Sequence, residues 1–440
     1  MAIDFLHELR WRGLLHEATP GVEALLAAGP VTGYIGFDPT ADSLHVGNLV
    51  PIMMLVHFQR CGHIPVALVG GATGMVGDPS GKKAERQLLD EDTLRHNTAC
   101  IRAQLARFID LDRGGAQLVN NYDWFKDIGF LDFIRDVGKH ITVNYMMAKD
   151  SVKNRLETGI SFTEFSYQLV QGYDFVHLHR TLGVRLQMGG SDQWGNITTG
   201  TELIRRMGGG EAHAITNVLI TKADGSKFGK SESGNIWLDA RRTSPYRFYQ
   251  FWLNTSDADA ERYVRIFTTW EQADVEARIA EHARAPHLRQ LQKALAEEIT
   301  RRLHGEEEMQ EAIRASEFLF KPWTVDQLKS HSPRFWQTLE ECIPGYTTVA
   351  APDPPVEGEL AGVSRQQIAD SISVVKLLAR TGFLASFGEA KRAIKEGSIA
   401  LNGVKVMDDQ HLIGGQDLIQ GTYLLLQRGK KNYFLVKAVD

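Results

Sequence analysis

Two short polar segments, far apart in the chain, carry residue types suited to holding a nucleotide. The first is His45–Asn48 (HVGN), and the second is Lys227–Ser231 (KFGKS). Gly47 lets a ligand approach the backbone closely, His45 is a compact hydrogen-bond donor, and the two lysines of the second segment can meet phosphate oxygens as mobile cations. Together the two segments indicate a site that handles ATP.

A further set of candidate residues lies on the helix predicted after Ser161. Tyr167, Gln171 and Asp174 recur at helical spacing and therefore share one face, with a hydroxyl, an amide and a carboxylate in line. A polar helix face is usually solvated. The residues around this one are apolar, which favours the alternative that the face lines a pocket.

Glycine-rich segments follow two of the predicted strands. Gly70–Lys83 is not a P-loop, because Val76 and Lys83 stand where that motif needs glycine and serine or threonine. Its glycines instead allow close approach to a ligand and leave Asp78 at the pocket edge, where a carboxylate can meet an ammonium. In Gln187–Asn196, glycines precede Asp192, an acceptor suited to ribose hydroxyls.

Alternating apolar runs and helical patterns predict the elements that position these residues. We expect a doubly wound α/β fold with a parallel sheet, and we expect Ser43 to cap an apolar helix that starts near His45. The predicted strands are Thr32–Phe37, Ile64–Gly70 and Gln117–Asn120, and the predicted helices are Leu49–Arg60 and Leu131–Val137. Ligands in such a sheet lie beyond the carboxyl ends of its strands.

The sequence predicts several domains in its 440 residues. They are a Rossmann-like catalytic domain (1–220), a signature loop and connection (221–245), an α-helical domain (246–342), a Pro-rich linker (343–370) and a small α+β domain (371–440). Residues 371–440 hold ten Lys or Arg against six Asp or Glu, which gives +4, whereas the whole chain has a net charge of -5. A basic appendage on an acidic body suits contact with RNA.

The last domain is similar to the S4-type RNA-binding module. Two short helices, Val374–Ala379 and Phe387–Lys395, precede a hairpin with an Asn-Gly turn in Ile399–Val406. The candidate RNA-binding residues are Lys391, Arg392 and Lys395, at least two of which share a helix face. A solvated helix surface is the open alternative.

Composition excludes several classes of protein. The chain has no apolar run long enough to cross a membrane, and its first ten residues carry charges where a secretory signal needs an apolar stretch, so we expect a cytoplasmic protein. The three cysteines are widely separated, which favours reduced thiols over a disulfide framework or a zinc site. We expect no resident metal.

All these motifs together resemble those of the bacterial tyrosyl-tRNA synthetases, a family of class I aminoacyl-tRNA synthetases, and the similarity covers essentially the whole chain. The resemblance implies activation of L-tyrosine with ATP and Mg²⁺ to tyrosyl-adenylate, release of pyrophosphate, and transfer of tyrosine to the 3′ end of tRNA(Tyr). It implies no tightly bound cofactor. It also implies a homodimer. The segment Trp124–Met147 is a candidate interface, and an internal core is an equally open interpretation of its apolar residues.

The resemblance also assigns roles to individual residues. Those for tyrosine are Tyr34 and Asp174 at the phenol, Asp78, Tyr167 and Gln171 at the ammonium, and Gln193 near the carboxylate. Those for ATP are Asp38, which also helps to seat the substrate amine, with Gly47, Asn48, Gly190, Asp192 and Lys230. Those for the phosphates and the departing pyrophosphate are Thr40, His45, Lys82, Arg86, Lys227, Lys230 and Ser231.

Two positions depart from the family pattern, and three other functions stay open. Asn48 replaces a histidine but can still donate an amide N–H, whereas Ile35 removes a contact that a cysteine can make with ribose in relatives. A tryptophanyl-tRNA synthetase would have little use for Tyr34 opposite Asp174. A non-catalytic RNA-binding relative should have lost the signature residues, and a metal-dependent hydrolase would need clustered ligands that the sequence lacks.

Overall fold

The computed structural model describes residues 3–78, 80, 89–112, 115–150, 152–153, 159–231, 234–318, 324–348, 363–429 and 432–439. The chain divides into two compact units, Met1–Gly305 and Glu306–Asp440. Within these ranges, no helix has both the length and the apolar character needed to cross a bilayer.

The described part of the first unit contains a six-stranded sheet. Its strands are β1 (Leu15–Ala18), β2 (Thr32–Phe37), β3 (Ile64–Val69), β4 (Gln117–Asn120), β5 (Leu186–Gly190) and β6 (His213–Asn217). Their order is β1-β6-β5-β2-β3-β4, with β1 antiparallel to β6 and the other pairs parallel. The residues of β3 from Pro65 to Val69 are all buried, as expected of a parallel strand covered on both faces.

The order of the strands reverses at β2. The chain passes from β2 to β3 on one side and later adds β5 on the other, so that Tyr34 lies opposite both Val66 and Gln187. A reversal of this kind opens a crevice at the carboxyl ends of the strands, where α/β proteins bind ligands. The residues that follow β2 and β5 therefore face a common space.

Helices cover the sheet. They are α1 (Phe5–Trp11), α2 (Val22–Ala27), α3 (Leu49–Arg60), α4 (Thr73–Val76), α5 (Glu91–Leu105), α6 (Tyr122–Phe125), α7 (Phe130–Asp136), α8 (Val143–Met147), α9 (Phe162–Leu182) and α10 (Trp194–Arg206). The longest of them that bears site residues, α9, begins at Ser161, whose side chain accepts the N–H of Glu164, and ends at Gly183 with φ of 64°.

The rest of the first unit is a hairpin followed by a helical region. The hairpin pairs β7 (Lys230–Ser231) with β8 (Gly234–Asn235), and the helices are α11 (Pro245–Leu253), α12 (Asp257–Phe267), α13 (Gln272–Arg284) and α14 (Gln290–His304). Ser244 and Ser256 cap α11 and α12 by accepting backbone N–H groups. Buried aromatic rings, including Phe248, Trp252 and Phe267, fill the space between these helices.

The second unit packs helices against a small sheet. Its elements are α15 (Glu306–Phe318), α16 (Val325–Ser330), α17 (Pro333–Cys342), β9 (Gly345–Thr347), α18 (Arg365–Ala369), β10 (Ile372–Ser373), α19 (Val374–Arg380), α20 (Phe387–Lys395), β11 (Ile399–Leu401), β12 (Val404–Lys405), β13 (Leu412–Ile413), β14 (Tyr423–Arg428) and β15 (Asn432–Lys437). The larger sheet has the order β12-β11-β14-β15-β9. Buried side chains of α19, α20, β14 and β15 form its core.

Most of the predicted elements are confirmed, and one predicted cap is wrong. The hairpin in Ile399–Val406 forms as expected, with positive φ at both turn residues, Asn402 (48°) and Gly403 (82°). Ser43, however, caps no helix, because its hydroxyl donates to the carbonyl oxygen of Leu44. The cap is His45, which begins a short 3₁₀ turn ahead of α3.

The compact units do not follow the domain boundaries predicted from the sequence. Residues 306–342, placed by the sequence in the central helical domain, belong to the second unit. The predicted linker 343–370 also contains ordered structure, because β9 pairs with β15 and α18 has a capping box at Ser364. Residues 349–362 lie outside the described ranges. The five-part division of the chain stays a prediction.

Candidate active site

The carboxyl group of Asp174 lies on α9, where it is buried and held by two donors. The side-chain amide of Asn121 donates to Oδ2 at 3.1 Å, and the indole N–H of Trp124 donates to Oδ1 at 3.0 Å. Burial raises the pKa of Asp174 well above its usual range, and the two N–H donors oppose that shift. Each oxygen keeps a lone pair with which it can accept a ligand hydroxyl.

The hydroxyl of Tyr34 on β2 is a second buried polar group of the site. Tyr34 is 1% exposed, and its ring meets Phe175 edge-on at 5.4 Å. Burial, and then the charge of Asp174, raise the pKa of Tyr34, which keeps the hydroxyl protonated. Within the described ranges this buried oxygen makes no hydrogen bond. Buried hydroxyls normally have a partner, so a hydroxyl on a ligand would satisfy it.

A chain of hydrogen bonds joins Asp174 to Asp38, which follows β2. Asn121 also donates to Thr73 Oγ1 at 3.2 Å, and Thr73 donates to Asp38 Oδ1 at 2.8 Å. The other oxygen of Asp38 accepts the Tyr167 hydroxyl at 2.9 Å. Burial, and then Asp38, raise the pKa of Tyr167, which therefore stays a neutral donor. A single hydrogen-bond network thus joins Asp174, Asp38 and Tyr167.

A second cluster lies around Asp78, after β3. Gln193 Nε2 donates to Asp78 Oδ2 at 2.8 Å, and Asn196 donates to Gln193 Oε1 at 3.2 Å. Burial, and then the charge of Asp78, raise the pKa of Asp192. The two neighbouring carboxyl groups of Asp78 and Asp192 favour a cationic ligand group. An α-ammonium meets that requirement.

Gln171 lies one turn along α9 from Tyr167, on the predicted face. Its side-chain oxygen is buried and accepts no hydrogen bond from the residues that the structure describes. Like the Tyr34 hydroxyl, it is a polar atom that a ligand could satisfy. The interpretation of the face as a pocket lining therefore agrees with the burial of Tyr167 and Asp174.

The first signature segment holds its histidine in one tautomer. His45 Nδ1 accepts the backbone N–H of Gly47 at 3.1 Å, which in the neutral ring places the proton on Nε2 as a donor. The backbone N–H of His45 donates to Asn48 Oδ1 at 3.1 Å. A Cβ atom at Gly47 would lie 2.8 Å from His45 Cε1, so the ring needs glycine at this position.

The second signature segment lies directly against the first. The N–H of Val46 donates to the carbonyl of Ile236, whose own N–H donates to the carbonyl of Gly229. Gly229 has φ of 81°, and a Cβ atom there would lie 2.7 Å from Val46 Cγ2. Two segments that are far apart in the sequence are therefore joined through the backbone of one intervening residue, Ile236.

The remaining predicted residues are exposed, or their side chains lie outside the described part of the structure, apart from Gly190. Thr40 and Lys227 are exposed, and Gly190 ends β5 beside Asp192. Lys230 and Ser231 form β7, but only their backbone is described. Lys82 and Arg86 lie outside the described residues. Their assigned roles stay predictions.

Sequence reasoning missed Asn121, Trp124 and Thr73, which position the two key carboxyl groups. Asn121 directly follows β4, and Trp124 lies in the short helix α6 that comes next. The available signal was position: polar residues after the carboxyl end of a parallel strand face the same crevice as those after its neighbours.

In the second unit, α20 exposes the candidate RNA-binding residues. Lys391, Arg392 and Lys395 are exposed, while Ala393 and Ile394 pack into the core. Among the described residues of both units, no group of three or more His, Cys, Asp or Glu is arranged to hold a metal ion.

Comparison with known proteins places this chain in a family. The family profile described as tRNA synthetases class I (W and Y) matches residues 27–321. The chain belongs to this family. A second profile, described as the tyrosine–tRNA ligase SYY-like C-terminal domain, matches residues 356–436. The class I synthetase fold accounts for the parallel sheet, and the family implies ATP as a substrate.

Individual relatives indicate which amino acid the members of the family most similar to this chain use. A tyrosine–tRNA ligase of Bacteroides fragilis is 56% identical over 444 residues, which cover 99% of this chain and 100% of the relative. The crystal structure of a C-terminally truncated mitochondrial tyrosyl-tRNA synthetase of Aspergillus nidulans is 30% identical, with a TM-score of 0.66 over 72% of this chain and 94% of that one.

The fold alone does not separate tyrosine from tryptophan. A tryptophanyl-tRNA synthetase of Encephalitozoon cuniculi has a TM-score of 0.51 at 14% identity, over 69% of this chain and 87% of that one. The amino acid must therefore be read from the pocket and from the near-full-length relatives.

Proposed function

We propose that the chain is a tyrosine–tRNA ligase, which activates L-tyrosine with ATP and transfers it to tRNA(Tyr). The observation that carries the choice of tyrosine is the pair formed by the unsatisfied Tyr34 hydroxyl and the buried Asp174 carboxyl group. A phenol donates to the carboxyl group and accepts from the hydroxyl. Phenylalanine would leave the Tyr34 hydroxyl without a partner and bring no donor to Asp174, and the indole of tryptophan, which only donates, could not accept from Tyr34.

In the first step, the tyrosine carboxylate attacks the α-phosphate of Mg²⁺-ATP. A new P–O bond forms, the bond from the α-phosphorus to the bridging oxygen breaks, and pyrophosphate leaves with its electron pair. Asp78, Tyr167 and Gln171 hold the ammonium with the help of Asp38, while Gln193 lies near the carboxylate. No protein nucleophile is needed, so catalysis rests on positioning and on donors that meet the growing charge.

Donors from both signature segments act on the phosphates. His45 Nε2–H donates to a phosphate oxygen together with Thr40, while Gly47, Asn48, Gly190 and Asp192 hold the nucleotide. The side chains proposed to receive the departing pyrophosphate are Lys82, Arg86, Lys227, Lys230 and Ser231. The magnesium ion enters with ATP as part of the substrate and neutralises phosphate charge.

In the second step, a hydroxyl of the terminal ribose of tRNA attacks the tyrosyl carbonyl carbon, and AMP leaves. The exposed cations of α20, Lys391, Arg392 and Lys395, are suited to phosphate contacts that position the tRNA. Both substrates, ATP and tRNA, are those of the cytoplasm, where we place the enzyme.

A homodimer is also proposed, through the surface around α7 and α8. Three side chains of α7 are unusually exposed for their type: Phe130 at 64%, Leu131 at 78% and Ile134 at 46%. Val143 and Phe162, at 59% and 66%, add to the exposed apolar area of this part of the chain. Apolar side chains exposed in such number are typical of an interface between proteins.

The function is tested by charging unfractionated bacterial tRNA with radiolabelled amino acids. The proposal predicts acid-precipitable tyrosine that depends on ATP and on the enzyme, with tryptophan at background. Charging with tryptophan instead, or with neither amino acid, would overturn it.

A further inference from the structure

The middle residue of the second signature, Phe228, is anchored in a cage of aromatic rings. Its ring stacks on Phe267 with centroids 5.4 Å apart and planes at 14°, and it meets Tyr263 at 5.0 Å. Phe251 and Trp252 complete the cage, each at 5.9 Å. The cage belongs to α11 and α12, so the helical region holds the signature by its centre.

The backbone next to this ring is held as well. Gly229 is buried and accepts the N–H of Ile236, and a Cβ atom at this position would lie 2.7 Å from Val46 Cγ2 of the first signature. Lys227, by contrast, is exposed. The second signature segment is therefore held at Phe228–Gly229. Lys227 precedes this point, and Lys230 follows it.

The cage is itself tied to the N-terminal helix α1 by a buried arginine. Arg12, which follows α1, is 1% exposed and donates to the carbonyls of Arg265, Thr268 and Trp270, at or just after the end of α12. Glu8 balances its charge through a hydrogen bond of 2.9 Å. Because an unpaired buried charge is costly, this clamp keeps α12 in a defined place relative to the N-terminal helix.

We propose that Phe228 is a positioning residue for adenylate formation, which holds the second signature at its centre so that Lys227 and Lys230 reach the phosphates from a fixed point. This rests on the proposed function. Phe228 acts through its neighbours and has no contact with the buried groups of the tyrosine pocket among the ring contacts described. Loss of its ring should therefore harm the chemical step and leave tyrosine binding intact.

Phe228→Leu tests this in tyrosine-dependent ATP–pyrophosphate exchange. Since small displacements of positioning groups cost large factors in rate, we expect kcat to fall about tenfold or more, with the KM for tyrosine changed by less than about twofold. Phe228→Tyr keeps the ring and the stacking, and it should retain most of the wild-type kcat. An unchanged kcat in Phe228→Leu would overturn the proposal.

Phe248→Leu is the matched control for loss of a ring from the same helical region. Phe248 is fully buried in α11, and its ring contacts are with Trp252 and His304. This variant should lower Tm at least as much as Phe228→Leu while keeping kcat. Parallel losses of kcat and Tm in both variants would mean a merely structural role and would contradict the proposal.

Limited trypsin digestion separates this proposal from the proposed function. Trypsin can cleave after Lys222 and Lys227, and release of the anchor should speed cleavage there in Phe228→Leu relative to the wild type and Phe248→Leu. If the wild type shows no tyrosine-dependent exchange, the proposed function falls, and the digestion still decides whether Phe228 holds the segment. Equal cleavage rates in all three proteins would refute the anchor.

Discussion

The side-chain amide of Asn121 donates to the carboxyl group of Asp174 at 3.1 Å. Asn121 is fully buried, and its amide nitrogen also contacts Thr73, which in turn donates to Asp38. One residue at the end of β4 therefore orients the carboxyl group proposed to select the substrate phenol and joins it to the group proposed near the substrate ammonium. The groups proposed for specificity and for ammonium binding therefore share one hydrogen-bond network.

The roles of Asp174 and Tyr34 predict which of two substitutions lowers kcat/KM more. Asp174→Ala should lower kcat/KM for tyrosine and its ratio to phenylalanine more than Tyr34→Phe, because it removes the acceptor of the substrate phenol and not only one neutral hydroxyl beside it. Asp174→Ala also leaves Asn121 and Trp124 without their acceptor, whereas the Tyr34 hydroxyl has no such protein partner. Exchange kinetics with both amino acids measure the order, and comparable losses in the two variants would refute it.

The same reasoning separates stability from activity at Tyr34. Removal of a buried, unsatisfied hydroxyl should not cost stability in the absence of ligand, so Tyr34→Phe is expected to keep or slightly raise the Tm of the free protein. Calorimetry of the two proteins without tyrosine measures this. A clear fall in Tm would show that the hydroxyl has a partner in the free state.

The contact between Gly47 and His45 predicts an indirect loss of activity. A methyl group at position 47 would meet the imidazole ring at 2.8 Å, so Gly47→Ala should displace the ring and imitate His45→Ala. Both variants are expected to lower kcat for adenylate formation by about a hundredfold, with a much smaller change in the KM for tyrosine.

Gly138→Ala is the control for that substitution, because a Cβ atom there would come no closer than 3.9 Å to Ile134. It should behave as the wild type. If Gly47→Ala kept a normal kcat, or if His45→Ala chiefly raised the KM for tyrosine, the placement of the histidine in the transition state would be wrong.

Burial of His304 predicts a dependence of stability on pH. Burial, and then the charge of Arg107, lower the pKa of His304 to about 4. At pH values between about 6.5, its ordinary pKa, and about 4, His304 is protonated in the unfolded chain and neutral in the folded chain. The free energy of unfolding therefore falls as the pH falls. His304→Gln removes this proton uptake.

Denaturant unfolding at pH 7 and pH 5 tests the sign. The wild type should lose more stability over this interval than His304→Gln, by an amount that corresponds to at most one proton. The same loss in both proteins, or a larger loss in the variant, would contradict the assignment.

The exposed face of α20 predicts a defect confined to the tRNA step. Lys391→Ala should raise the KM for tRNA about threefold and make charging less sensitive to salt, since one phosphate contact is lost. Pyrophosphate exchange should be unchanged. Lys329→Ala, which removes an exposed lysine from α16 of the same unit, is the control. Equal effects of the two substitutions on the KM for tRNA would mean that the exposed face of α20 is only a solvated surface.

Regular spacing made part of this architecture predictable. The strand Thr32–Phe37 and the helix Leu49–Arg60 have the predicted bounds, because apolar periodicity and turn residues mark their ends. The shared face of Tyr167, Gln171 and Asp174 follows from helical geometry in the same way. Tyr167 and Asp174 are buried and Gln171 is half-buried, as the apolar residues around this face predict.

Contacts between distant segments were not predictable. No local pattern brings Asn121 to Asp174 or Phe228 into its aromatic cage, since both depend on how separate elements pack. The identity of the cap before α3 also differs from the prediction because local hydrogen bonds compete. The Ser43 hydroxyl donates to the carbonyl oxygen of Leu44, and His45 is the cap. Side chains of Lys82, Arg86, Lys230 and Ser231 keep the roles implied by resemblance alone.

The most direct test of the account is ATP–pyrophosphate exchange by the wild-type protein with tyrosine, phenylalanine and tryptophan in turn. We predict exchange with tyrosine and a tyrosine-to-phenylalanine ratio of kcat/KM of at least about a hundredfold, because phenylalanine has no hydroxyl that could accept from Tyr34 or donate to Asp174. Exchange that is equal for phenylalanine, greater for tryptophan, or absent with tyrosine would contradict the assignment of Tyr34 and Asp174 as the groups that select the substrate.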